Sequence, residues 1–255
     1  MPLQKWTRLI AAAGFSLAVL GSVAPAKAEE PNPEIDSRAE RIGKAALQYV
    51  AAAKAFTFEA EIVNEAALDS GQRIQNIGTN RTFVRRPDRL ASFYKGPDRT
   101  TEMYYNGKVF ILANPVESVY ANWEAPATID ALFDTMKERI GFVPPLAAII
   151  HEDAGSGARK SEVLSATYVG RATIRGVDCH HLAYTGQKVD FQMWVADGVP
   201  VIKRIVVTYK KLPMSPQYTA TFLDWDFNAQ LSDYLFTFEP PPGASLIEFK
   251  TVEKK

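Results

Sequence analysis

The sequence predicts an α+β domain built on a large curled antiparallel sheet of ten or eleven strands, one face of which is covered by helices. Three observations carry this prediction. Hydrophobic spacing changes from helical to alternating after Ala53. Two runs of strands, about five and then five or six, flank a central helical stretch at residues 128–141. No repeat, low-complexity tract or linker divides them, since "AGSGARKSE" has the length of an ordinary loop. A sheet this long must curl or close to hide its edges. Helices on the inner side of a curled sheet enclose an apolar hollow, a natural ligand site.

The first 28 residues read as a secretory signal peptide. Lys5 and Arg8 precede the 15-residue apolar run "LIAAAGFSLAVLGSV", and Ala26 and Ala28 supply a small-residue cleavage site. The run is shorter than the ~20 residues that span a bilayer. The expectation is an exported, soluble chain with a signal peptide over 1–28 and a single domain over 29–255. Three basic residues and no acidic one leave with the leader, so the remainder carries a net charge of −3. Such a balance attracts neither nucleic acid nor anionic lipid. One cysteine makes no internal disulfide. Stability must come from the core, for which 47% hydrophobic residues suffice.

Taken in order, "PNPE" (31–34) is a turn. Ile35, Ala39, Ile42, Ala46, Tyr49, Val50 and Ala53 then mark an amphipathic helix over about 33–53. "FTFEAEIV" alternates Phe56, Phe58, Ala60 and Ile62 against polar neighbours, as a half-buried strand does. "QRIQNIGTNRTFVRR", "RLASFYK" and "TTEMYYNGKVFILAN" continue the sheet. In the last of these, Asn106-Gly107 suggests a type I′ hairpin turn. "SVYANW" ends this meander. Thr128 opens a helix with Ile129, Leu132, Phe133, Met136 and Ile140 on one face, and Gly141 closes it. "PPLAAIIHED" (144–153) reads as a short third helix. The strands "VLSATYVGRATI" and "VDCHHLAY" turn at Arg175-Gly176, and "VDFQMWV", "VIKRIVVTYK" and "QYTATFLDWDF" follow. "FTFEPPPGASLIEF" is a terminal segment with a proline stop.

The most chemical-looking string is "GVDCHHLAYTG", with the one cysteine and two of the three histidines. In a strand, Cys179 and His181 share a face while His180 points to the other. Residues two apart in a strand are about 6.6–6.8 Å apart, whereas a nucleophile and its base need about 2.6–3.2 Å. A metal needs three or four convergent ligands, and His151 is the sole further imidazole. Cys179 is therefore expected as a small buried residue, with no catalytic residue, no metal and no cofactor. No G-x-S-x-G, H-E-x-x-H or phosphate-binding glycine loop is present. Asp224 and Asp226 share a face but belong to a strand end. The chain is expected not to be an enzyme.

Aromatic residues are spread over nearly every element. They either fill a solid core or line, in part, a concave pocket. The pocket lining suggested by the pattern is Phe58, Phe83, Phe93, Tyr104, Phe110, Phe191, Met193 and Phe222, with Phe133, Met136 and Ile140 on a mobile helical lid.

"FVRRPDRLASFYKGPDRTTEMYYNGKVFILANP" resembles the lipoprotein carrier and receptor proteins of the bacterial periplasm (LolA/LolB-like). The shared pattern is an apolar strand, Arg-Pro, a strand, and an (Asp/Asn)-Gly-Lys hairpin ending in Asn-Pro. "GVDCHHLAY", "VDFQMWV", "GVPVIKRIVVTYK", "PQYTATFLDWDFN" and "FTFEPPPGA" are similar, in order and spacing, to a group of uncharacterised predicted periplasmic proteins (DUF2092). Together the two resemblances cover about residues 39–249. They imply a half-open β-barrel of about eleven strands with helices as a lid over a hydrophobic cavity, in the periplasm of a Gram-negative bacterium. Arg86, which precedes Pro87, matches the carriers' lid-holding arginine; read without the resemblance it is a turn residue at the sheet edge. The resulting expectation is a carrier for a lipid, acyl chain or lipid-modified protein, with another envelope protein as a further partner. It is expected to bind no nucleic acid and not to be an integral membrane protein. The alternative is a non-catalytic structural or partner-binding envelope protein with a filled core.

Overall fold

One register row explains most of this molecule. Phe58 pairs with Thr82, Thr82 with Ser92, Ser92 with Met103, and Met103 with Leu112, so these five side chains project from one face of five adjacent strands. The computed structural model describes residues 34–154 and 163–249, all within the unit Pro33–Lys255. The expected signal peptide lies outside the described residues.

The strands are β1 (Ala55–Ala67), β2 (Arg73–Arg85), β3 (Arg89–Lys95), β4 (Thr100–Tyr105), β5 (Val109–Asn114) and β6 (Val119–Glu124). After the central helices come β7 (Val163–Ile174), β8 (Val177–Gly186), β9 (Val189–Ala196), β10 (Ile202–Tyr209), β11 (Gln217–Asp226) and the short β12 (Ser245–Leu246). They form a single curled, unclosed twelve-stranded sheet in the order β12-β6-β5-β4-β3-β2-β1-β11-β10-β9-β8-β7. Within each run, β1–β6 and β7–β11, consecutive strands pair antiparallel; β1 joins the two runs by pairing with β11, and β12 lies parallel to β6. The expected α+β sheet is thus observed, with one more strand than the eleven expected. β12 was not legible because two residues carry no periodicity.

Helix α1 (Ser37–Ala51) starts where the Asp36 carboxylate accepts from the Arg38 and Ala39 amides at 2.7 and 3.2 Å, a regular N-cap. Its buried stripe is Ala39, Gly43, Ala46 and Val50. Small residues let α1 lie close on β8 and β9: the Tyr184 hydroxyl donates to the Ala39 carbonyl at 3.1 Å, and the Tyr184 ring stacks on Phe191 at 4.4 Å. Ile35 makes a bridge to Ala166, which partly covers the free edge at β7. Helix α2 (Ile129–Ile140) is capped by Thr128, whose hydroxyl accepts from the Ala131 amide at 3.2 Å, and ends at Gly141 with φ 65°. It buries Ile129, Leu132, Phe133 and Met136.

The third helix is shorter than expected. Helix α3 spans Ala147–Ile150 rather than the whole of 144–153. Two side chains take the backbone groups that a further turn would use. Arg86 donates to the Ile150 carbonyl, and the Asp130 carboxylate accepts from the Glu152 amide at 3.2–3.3 Å.

The hairpin turns also differ from expectation. Of Asn106 and Gly107, only Gly107 has positive φ, at 82°, so the turn is not type I′. The Asn106 side chain instead accepts from the Lys108 and Val109 amides at 3.1 and 3.0 Å. Positive φ at both central positions occurs at Arg175-Gly176, with 50° and 79°.

Candidate functional site

The helix-covered face divides into a filled half and a hollow half. Over β8–β11, the row Ala220–Ile205–Met193–Leu182 lies in the packed core that α1 covers. Phe222, Met193 and Leu182 are each 2% exposed or less. Over β1–β5, beneath α2, α3 and the segment joining them, a cavity of about 280 Å³ remains. Phe58, Ile62, Leu90, Met103 and Leu112 rise from the sheet, while Phe133, Phe142, Leu146 and Ile150 close it from the helical side.

The floor of this cavity is polar and self-satisfied. Thr82, 2% exposed, donates to the Asn80 side-chain oxygen at 2.7 Å and lies 2.9 Å from the Ser92 hydroxyl, to which Asn80 also donates at 2.9 Å. A closed hydroxyl–amide triad costs little to bury because each member has a partner. At one end Tyr94 donates to Asp98 at 2.9 Å and carries the Arg99 guanidinium 4.6 Å from its ring centroid. Burial, then the Asp98 hydrogen bond, pushes the Tyr94 phenol above its ordinary value. The site thus offers apolar walls, neutral polar groups on the floor and a cation at the rim.

At the opposite end the lid meets the sheet through Arg86. Its Nε donates to the Ala53 carbonyl at 3.2 Å and its Nη2 to the Ile150 carbonyl, joining the end of β2 to α1 and α3. Burial lowers the guanidinium's pKa, which Glu152 and Asp130 partly offset. The third nitrogen, Nη1, is buried without a hydrogen-bond partner among the described residues. Pro87 adds a backbone contact, its carbonyl accepting from the Ile129 amide at 2.9 Å.

Sequence-suggested lining residues fall into three groups. Phe58 and Phe133 line the cavity. Phe110, Met193, Phe222, Met136 and Ile140 lie in or against the packed core of the helix-covered face, Phe191 stacks on Tyr184, and all six are absent from the cavity wall. Phe83, Phe93 and Tyr104 lie on the other face, which corrects their assignment. The row Thr57–Phe83–Ala91–Tyr104–Ile111 alternates with the cavity row, and Phe93 pairs between Arg81 and Glu102. β2 pairs with β1 and β3 without a bulge, so Arg86 faces the helices while Phe83 points away. Phe83 looked core-facing because it is indeed buried, but against Phe236 of the C-terminal segment. That segment is held by Arg85, which donates to the Leu231 carbonyl at 2.7 Å and pairs with Asp233. It roofs a second cavity of about 390 Å³, with Phe93, Tyr104, Tyr234 and Phe238 in its wall. Ile62, Leu90, Met103, Leu112 and the polar triad were missed from the sequence, although alternation from Phe58 would have reached Ile62.

Cys179 is fully buried, and desolvation raises its thiol pKa. Strand alternation puts Cys179 and His181 on the helix-free face, opposite Leu182 and Tyr184, which face α1. His181 stacks on Trp194 at 4.2 Å, and its Nε2 lies 2.9 Å from the Gln192 side-chain oxygen. His180 lies 3.2 Å from the Tyr168 hydroxyl and 3.3 Å from Asp197. Among the described residues, the group of three side chains spaced to hold a metal is Asp130, His151 and Asp153.

A curled open sheet whose inner face holds a largely apolar cavity under two helices is a half-barrel fold. The family follows from the sequence: the family model for predicted periplasmic proteins (DUF2092) matches residues 39–250, and this chain belongs to that family. Among curated proteins, none matches it by sequence. Several solved structures resemble it. One is an uncharacterized conserved protein from Thermus thermophilus, at 7% identity and TM-score 0.48, covering 83% of this chain and 99% of that one. LprF from Mycobacterium bovis has 13% identity and TM-score 0.43, covering 83% and 100%. The LolA superfamily protein NE2245 from Nitrosomonas europaea has 12% identity and TM-score 0.37, covering 78% and 97%. No helix among the described residues is long and apolar enough to cross a membrane.

Proposed function

We propose that this chain is an exported periplasmic binding or carrier protein for an apolar or amphiphilic ligand such as a lipid or acyl chain. The ligand lies between the sheet and the lid formed by α2, α3 and their connection. The observation that carries this reading is the 280 Å³ cavity with Phe58, Leu90, Met103 and Phe133 in its wall and the Asn80–Thr82–Ser92 triad as its floor. The apolar leader and the family description support the compartment. Small-molecule sites occupy about 300–1,000 Å³, so a cavity of this size suits a short chain or one end of a longer one. A full acyl chain requires the lid to move, and Arg86 is the latch that such movement must release. No step of this function is catalytic.

The modest volume also favours a second reading, in which the chain is a structural or partner-binding envelope protein whose cavity stays empty. The two separate in one experiment. Protein purified from periplasm is extracted with organic solvent and the extract is analysed by mass spectrometry, with uptake of a fluorescent fatty acid measured alongside. The binding reading expects a co-purifying lipid or saturable uptake at one site. An empty protein that takes up no fatty acid refutes it in favour of the second.

A further inference from the structure

The cavity on the face away from the helices carries chemistry that neither reading uses. Its floor is the outer face of β3–β6, and its roof is the C-terminal segment. That segment is pinned at both ends. Arg85 holds its start through the Leu231 carbonyl and Asp233. β12 holds its end: the Ser245 amide donates to the Ser118 carbonyl at 2.9 Å, and the Ile247 amide to the Tyr120 carbonyl at 2.8 Å. Near the first pin the space is filled, Phe236 packing with Phe83 and Ala91. Between the pins about 390 Å³ stays open, a volume within the range of small-molecule sites.

Three rings set the character of this space. Phe93 and Tyr104 stand with centroids 5.4 Å apart at an interplanar angle of 70°, and Tyr104 and Phe238 stand 5.4 Å apart at 45°. Rings inclined in this way form a corner that presents π surface from floor and roof together. Two carboxylates share the wall, the half-buried Glu102 and the exposed Glu239. Glu102 accepts from the Tyr104 hydroxyl at 2.9 Å. Burial and this bond push the Tyr104 phenol up, so the hydroxyl remains the donor. Among the described residues the wall holds no lysine, arginine or histidine. Arg81, Arg85 and Arg89 on the same face lie outside it. Arg81 sits 5.0 Å from the Phe83 ring centroid, and Arg85 and Arg89 face Asp233.

Charge selects the occupant. Aromatic faces attract a cation within about 6 Å of the ring centroid. A neutral apolar occupant would strip water from Glu102 and supply no counter-ion, which is costly. A phosphate or carboxylate would meet only like charge. An alkylated ammonium answers both the rings and the carboxylates.

We propose that this cavity binds a small organic cation, an alkylated ammonium free of phosphate, held by Phe93, Tyr104 and Phe238 with Glu102 as its counter-ion. The site stands apart from the cavity beneath α2 and α3 and does not depend on what fills it. Choline chloride and its uncharged isostere 3,3-dimethyl-1-butanol are each titrated into the full chain by isothermal calorimetry. One saturable choline site is expected, with the isostere weaker by about tenfold, the worth of two cation–ring contacts. Phe238→Leu keeps apolar bulk in the roof and removes a π face, and should weaken choline by about 2- to 30-fold. Glu102→Gln should weaken it by about fivefold or more, the effect of one carboxylate about 4 Å away screened as in water. Circular dichroism confirms that each variant folds. No saturable choline binding, an isostere that binds as tightly as choline, or full affinity in either folded variant overturns the proposal. Tighter binding of dihexanoylphosphatidylcholine than of choline also overturns it, in favour of a lipid headgroup.

Discussion

Replacing Arg86 with Met should loosen the lid selectively. The guanidinium donates to the Ile150 carbonyl at the end of α3 and to the Ala53 carbonyl beyond α1. A hydrogen bond from a charged donor contributes about 1.5–3 kcal/mol, and only the Ile150 bond must break for α3 to lift away. At about 1.4 kcal/mol per tenfold, Arg86→Met should raise the open population of the lid by about 10- to 150-fold. Global stability should fall by less than two such bonds, because the substitution also removes the buried, unpartnered Nη1, whose desolvation costs about 1–3 kcal/mol. Native-state amide hydrogen exchange reads the effect directly. Amides of α2 and α3 should exchange faster by that factor, while those of β8–β10 change only as global stability does. Equal acceleration in lid and sheet, or an unchanged lid, would refute the latch.

Three further outcomes follow from contacts elsewhere. A Cβ at Gly43 would lie 2.0 Å from the Tyr184 hydroxyl oxygen. Gly43→Ala should therefore lose about 1–2 kcal/mol in denaturant unfolding, overpacking outweighing the helix-propensity gain. Adding Tyr184→Phe should recover part of that loss, and strict additivity would contradict the contact. Burial raises the phenols of Tyr94, Tyr104, Tyr105, Tyr184, Tyr209 and Tyr218, that of Tyr105 to about 12. The fold favours the neutral phenols, so their stabilisation is complete below the ordinary tyrosine value near pH 10 and is lost as pH rises through the raised values. Ultraviolet titration should show these tyrosines lagging the unfolded chain, with stability declining from about pH 10 upward; ten coincident ordinary titrations would contradict this. Cys179 should resist a thiol reagent in the native protein and react at once in denaturant, since burial both shields the thiol and disfavours the thiolate.

What the sequence revealed and what it hid divide along a physical line. Local signals were sound: Thr128 and Gly141 bracket α2, and alternation from Phe56 to Ile62 marks one face of β1. Which face of β2–β4 meets which face of β1 depends on register, and register is set by turns whose geometry composition leaves open. The sequence pattern therefore suggests Phe83, Phe93 and Tyr104 for the cavity, whereas they lie behind it, under a C-terminal segment whose packing has no periodic signature. Arg86 was located through the resemblance, but its partners Ala53 and Ile150 contribute backbone carbonyls, which no residue type announces. The Asp130–His151–Asp153 cluster was hidden for a related reason. It is assembled where α2 and α3 meet, from positions more than 20 apart in sequence.

The central claim is that ligand enters the cavity beneath α2 and α3 rather than the larger one on the opposite face. Leu112, partly buried in the wall of the first, and Phe238, in the wall of the second, separate the two. The measurement is the affinity for a fluorescent fatty acid in folded Leu112→Trp and Phe238→Ala proteins. The account predicts that filling the first cavity with Leu112→Trp weakens binding by about tenfold or more, the worth of roughly 1.4 kcal/mol, while Phe238→Ala leaves it unchanged. Binding that survives Leu112→Trp and is lost in Phe238→Ala would contradict it.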